Sequence, residues 1–147
     1  MITLGAKSLA KMTGVHPDLV RVFHRAAAIA GPVDDFTIIQ GVRTKDEMWE
    51  NWGKGRTLAE CRAKGVPDKY AQPKLGKVTW LNNPLMSNHR VMADGFGCAI
   101  DAAPYPIDWN DTARFRRMHA LIQRAADIEK VKIRFIDGDW PHTELAS

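Results

Sequence analysis

The sequence predicts an α+β fold: a small antiparallel sheet flanked by helices. Two segments, 17–30 and about 110–130, carry apolar residues at helical spacing. Short β-rich stretches at 36–42 and 98–102 are interleaved with helices, and the chain closes on an alternating pair folded about Asp137-Gly138. Helices and antiparallel strands in this mixed order point to the α+β class. The 147 residues, 45% apolar and 26% charged, fit one domain spanning 1–147, and no repeat, low-complexity tract or Ser/Gly linker divides them.

Taken in order, Pro17 suits the first turn of a helix whose face carries Leu19, Val22, Phe23, Ala26 and Ala30. Gly31-Pro32 ends it. Phe36 to Val42 reads as a strand running into Arg43 and Thr44, and Thr44 with Glu47 spells a capping box for the next helix. Trp49 and Trp52, three apart on that helix, suggest packing, with carbohydrate stacking as the alternative. Thr57 and Glu60 repeat the capping pattern before a short helix that stops near Gly65. Residues 66–77 read as loop and Val78 to Leu81 as a short strand. Cys98 to Ala102 reads as a further strand, ended by Pro104. Asn110 is placed to cap the long helix to Lys130, with Phe115, Met118, Leu121, Ile122, Ala125 and Ile128 as its buried stripe. Ile133 and Phe135 then alternate with charged neighbours, and Pro141 to Leu145 extends along a sheet edge.

Composition narrows the function classes. No apolar run approaches the roughly 20 residues of a membrane-spanning helix, so no membrane insertion is expected. The amino-terminal MITLGAKSLAKMTG carries a lysine in its first mildly apolar stretch and lacks a long apolar segment, so no signal peptide is expected. The net charge of +4 favours encounter with an anionic polymer, nucleic acid or cell wall. The basic residues are scattered, however, and the local group Arg114, Arg116 and Arg117 reads as a solvated helix face; no nucleic-acid partner is expected. Cys61 and Cys98 are too few for a disulfide framework and lack metal spacing, and read as packed thiols.

Of five histidines, His16 and His24 read as capping or surface residues and His119, four after Phe115, as a partly buried structural one. His89 and His142 stand apart, each in a loop or β segment with carboxylates close in sequence. Two histidines and one carboxylate form a common catalytic zinc shell that leaves a fourth position to water. On a strand at 98–102, Ala99 and Asp101 share one face; on the last strand, His142 and Glu144 do.

Four ordered motifs make the chain similar to the VanY-like zinc D,D-carboxypeptidases and L-alanyl-D-glutamate endopeptidases, above all the small single-domain phage endolysins. They are Gln40-Gly41-Val42-Arg43-Thr44 after a strand, Ser87-x-His89, Gly97-x-Ala99-x-Asp101, and Asp139-x-x-His142 followed by Glu144-Leu145. The resemblance implies the hedgehog/D-Ala-D-Ala peptidase type of α+β fold, with the zinc site at the sheet. It implies His89, Asp101 and His142 as zinc ligands, Asp139 as general base, and Arg43 as the residue that binds substrate and stabilises the oxyanion. Ser87 and Glu144 become supporting or substrate contacts. One departure is evident: the family's histidine-to-aspartate spacing is seven, and His89 to Asp101 spans twelve, which makes Met92 to Phe96 an inserted loop and Asp94 a rival ligand. Asp137 is the corresponding rival to Asp139.

The implied function is zinc-dependent cleavage of the L-alanyl-D-glutamate bond in peptidoglycan stem peptides. The enzyme is expected to act as a monomer held in the host cytoplasm until it reaches the wall. The alternatives are a D-alanyl-D-alanine carboxypeptidase, a non-catalytic zinc-containing wall-binding module and a nucleic-acid binder.

Overall fold

A computed structural model describes residues 1–146. The chain forms two compact units, one made of Met1–Val42 with the chain from Val91 onward, the other of Arg43–Arg90. The first unit holds α1 (Ala6–Lys11), α2 (Pro17–Ile29), β1 (Phe36–Gln40), β2 (Ala99–Pro104), α5 (Thr112–Glu129), β3 (Ile133–Ile136) and β4 (Asp139–Leu145). The second holds α3 (Lys45–Gly53), α4 (Leu58–Ala63) and a 3-10 turn at Asp68–Tyr70. Among the described residues no helix is long and apolar enough to cross a membrane.

In the first unit the four strands pair antiparallel in the order β1-β2-β4-β3. The expected α+β class with a small antiparallel sheet is what forms. The last strand does not lie at an edge, as its sequence suggested, but between β2 and β3. Pro141 survives there because β2 pairing begins only at His142, and β3 pairing jumps from Ile136↔Asp139 to Phe135↔Thr143. The missing N–H therefore falls where neither ladder needs one.

Helix α2 starts as its sequence prescribes: Pro17 leads it, and His16 caps it by accepting the Asp18 N–H on Nδ1 at 3.0 Å. Its apolar face meets α5, and Arg21 and Arg25 reach Glu129 of α5 at 3.3 and 2.9 Å. The N-cap of α5 is Asp111 rather than Asn110, because the Asp111 carboxylate accepts the Arg114 N–H at 3.2 Å while Asn110 sits in a turn on Asp108. Ile128 is also not in the buried stripe but 48% exposed. Ala126 fills the last buried place, and a residue two further on points to the other side of a helix.

Phe115, Ile122, Ile100, Ala102, Phe36, Ile38 and Phe23 belong to the core beside the sheet. Phe115 is wholly buried. The Phe115→Ala protein should lose about 3–5 kcal/mol of stability, the usual cost of emptying an aromatic site in a packed core; urea unfolding followed by circular dichroism measures it.

The second unit has a core of its own, built on Trp52, Cys61 and Val66, with Trp49 and Tyr70 packed against it. Both expected capping boxes form, at Thr44/Glu47 and Thr57/Glu60. Trp52 is thus a packing residue. The guanidinium of Arg56 lies 3.9 Å over its ring and donates to the carbonyls of Trp52 and Thr79 at 2.6 and 2.9 Å. Those bonds explain why Val78 to Leu81 is not the short strand its composition suggested. The Thr79 and Leu81 carbonyls are taken by the side chains of Arg56 and Trp52 instead of a neighbouring strand, and Val78 and Trp80 are exposed.

Candidate metal centre

Strand register builds half of the site. Because Asp101 pairs with His142 and Ala99 with Glu144, all four project from one face of the sheet, while Ile100 and Thr143 project from the other. Ala99, having only a methyl group, leaves room beside Asp101. On β1 the pairing slips between Ile38 and Gln40, so that an extra residue precedes the Gln40↔Asp101 pair. Such a bulge re-aims the chain end that leads to Arg43. Gly41, next in the chain, is required: a Cβ there would collide with the Lys11 carbonyl.

His142 is buried, and its two ring nitrogens have different partners. Nε2 lies 2.8 Å from Glu144 Oε1, and Nδ1 lies 3.3 Å from Asp101 Oδ1 and 4.0 Å from Asp139 Oδ2. Glu144 is held in turn by the guanidinium of Arg134, at 2.8 Å and 3.1 Å. Burial pushes the Glu144 carboxyl up, but its bonds to His142 and Arg134 prevail and hold it below the ordinary range. Burial likewise pulls the His142 imidazole down, and the bonds to Asp101 and Glu144 outweigh it, so its net shift is upward. With Nε2 donating to the ionised Glu144, Nδ1 is the nitrogen that would turn to a metal ion beside Asp101.

Within the second unit, Ser87, His89 and Arg43 form one knot. Ser87 Oγ accepts the His89 N–H and the Arg43 Nη1–H, both at 3.1 Å, and the Arg43 N–H donates to the His89 carbonyl at 2.8 Å. The Ser-x-His motif thus has a local reason: the hydroxyl fixes the backbone of the histidine two residues on.

Among the described residues, His89, Asp101 and His142 can each offer one ligand atom, and these atoms all lie within 4.8 Å of one another. The set could hold a metal ion. Two imidazoles and a carboxylate suit zinc. A tetrahedral ion with bonds of about 2.0–2.1 Å spaces its ligand atoms about 3.3 Å apart, which is the separation of His142 Nδ1 and Asp101 Oδ1. His89 and His142 are buried, as an inner ligand shell requires.

The rivals lie elsewhere. Asp94 belongs to a tight turn in which Met92 N–H donates to the Phe96 carbonyl at 2.8 Å and Asp94 Oδ1 accepts the Phe96 N–H at 3.0 Å. Asp137 is exposed in the β3–β4 turn. Asp139, at the start of β4, is 48% exposed, so solvent reaches its carboxylate. Sequence reasoning did not single out Arg134. No local signal marked it: simple alternation about the Asp137-Gly138 turn would set Arg134 opposite Pro141, and only the register jump after the Ile136↔Asp139 pair brings it opposite Glu144.

A family model described as phage L-alanyl-D-glutamate peptidase matches residues 1–145. The L-alanyl-D-glutamate peptidase of Escherichia phage T5 is 30% identical over 139 residues, covering 92% of this chain and 80% of that protein. The crystal structure of the Serratia marcescens L-Ala D-Glu endopeptidase ChiX shares the fold, with a TM-score of 0.61 at 23% identity over 96% of this chain and 87% of that one.

Proposed function

Because the chain belongs to the phage L-alanyl-D-glutamate peptidase family, we propose that it is a phage endolysin that hydrolyses the L-alanyl-D-glutamate bond of peptidoglycan stem peptides with one bound zinc ion. The observation that carries the metal chemistry is the convergence of His89, Asp101 and His142. These three would hold the ion. When bound there, zinc would supply Lewis acidity, making a water molecule far more acidic and so available as a nucleophile near neutral pH.

The chain's own residues do the rest. Asp139 takes the proton of the attacking water and returns it to the departing amine of D-glutamate, while the carboxyl group stays with L-alanine. Arg43, its guanidinium steadied by Ser87, faces the negative charge that develops on the carbonyl oxygen. Glu144 keeps His142 in the tautomer that presents Nδ1. Replacing Glu144 with glutamine should weaken zinc binding about tenfold, measured by competition with a chromophoric chelator. The enzyme works as a monomer from a single catalytic domain over 1–147, accumulates in the host cytoplasm, and acts when the wall becomes accessible.

Mass spectrometry of digested peptidoglycan tests the reading. New amino termini on D-glutamate are the expected product. Released D-alanine would assign a D,D-carboxypeptidase instead, and zinc binding without any new terminus would assign a wall-binding module.

A further inference from the structure

His119 lies on α5, opposite the strand that carries Asp139 and His142. Its Nε2 is 2.6 Å from the carbonyl oxygen of Trp140. A carbonyl only accepts, so Nε2 carries the hydrogen. The imidazole is stacked on Phe135 with ring centroids 4.1 Å apart and planes 9° from parallel, which fixes its height and rotation. Burial pulls it below its ordinary pKa against the pull of the Trp140 bond, which favours the neutral ring.

The acceptor is the informative part. Opposite β3, the register jumps from Asp139 to Thr143, and on the β2 side pairing starts at His142. Trp140 and Pro141 therefore belong to neither ladder, and Pro141 has no N–H to offer. The Trp140 indole packs against Phe115 and the His119 ring, with the Arg116 guanidinium over it, but these contacts hold the ring, whereas the His119 Nε2 bond holds the peptide. The Trp140 peptide sits between the two functional residues of this segment, one position after Asp139 and two before His142.

We propose that His119 is a positioning residue: through its hydrogen bond to the Trp140 carbonyl it fixes the irregular segment of β4 that sets Asp139 and His142 relative to each other. The inference rests on the roles given to those two residues above. A bulge flanked by a base and a ligand has to hold one geometry, and here the register of neither neighbouring strand pairs Trp140 or Pro141.

Two variants separate the bond from the ring. His119→Leu removes the donor and the ring; His119→Gln removes the ring but keeps an N–H donor at a similar reach. On a soluble L-alanyl-D-glutamyl stem peptide, His119→Leu should lower kcat about 10–100-fold with KM within about twofold, and weaken zinc affinity by a similar factor. His119→Gln should recover most of both. Unchanged kcat and zinc affinity in His119→Leu would overturn the proposal. So would equal losses in the two variants, of activity or of melting temperature, since these assign ring packing alone. Asp139→Asn is assayed alongside. If it keeps full activity, the role of Asp139 fails and the proposal with it; if it is inactive while His119→Leu is not, the positioning role alone fails.

Discussion

Stripping divalent metal from the protein with a chelator should reduce stem-peptide hydrolysis to background, and one equivalent of zinc should restore it. The expected fall is at least about 10³–10⁴-fold, because without a Lewis acid the attacking water is far too weak an acid to ionise at neutral pH. The loss should be local. The core around Phe115, Phe23 and Ile100 contains none of the three ligands, so far-UV circular dichroism should persist while melting temperature falls, as expected when a ligand that binds only the folded state is removed. A chelated protein that still releases D-glutamate amino termini would remove the metal from the mechanism.

Asp139→Asn should lower kcat by about 10²–10⁴-fold with zinc content unchanged. The amide has the shape of the carboxylate but cannot take the proton. Asp139 lies outside the set of converging ligand atoms, and its nearest oxygen is 4.0 Å from His142 Nδ1, so the ion should stay. Metal analysis beside steady-state kinetics distinguishes the cases: loss of zinc would make Asp139 part of the ion's support, and an intact kcat would pass the base to another group. Asp137→Asn, in the exposed turn two residues earlier, serves as control and should stay within about twofold.

How much of this could be read from residues alone depended on how far apart the interacting groups lie. Pro17, the two Thr-x-x-Glu boxes and the alternation around residue 100 act within one or two turns of chain, and they form as expected. Val78 to Leu81 did not become a strand because its carbonyls are claimed by Arg56 and Trp52, more than twenty residues back. The place of β4 between β2 and β3, rather than at an edge, is equally non-local: a strand with a proline near its start reads as peripheral until the two flanking ladders are known to skip that residue. For the site, the shared faces of Asp101 and of His142 with Glu144 were legible from alternation. That those faces are one face followed only from the register. His89, far from both in sequence, stood out locally as a loop histidine with carboxylates nearby, but its joining the other two was implied only by the family resemblance.

The pairing of β1 with β2 also bears on how quickly the molecule can fold. Ile38 sits beside Ala102, roughly sixty residues downstream, so this ladder closes a long loop before any of its bonds are gained. Lengthening that loop is cheap at equilibrium, since each doubling costs only about 0.6 kcal/mol, but distant contacts slow the search for the native state. The β3–β4 hairpin and the contacts of α5 with it are the short-range alternative, and nucleation there, with β1 arriving late, is the order that chain entropy favours.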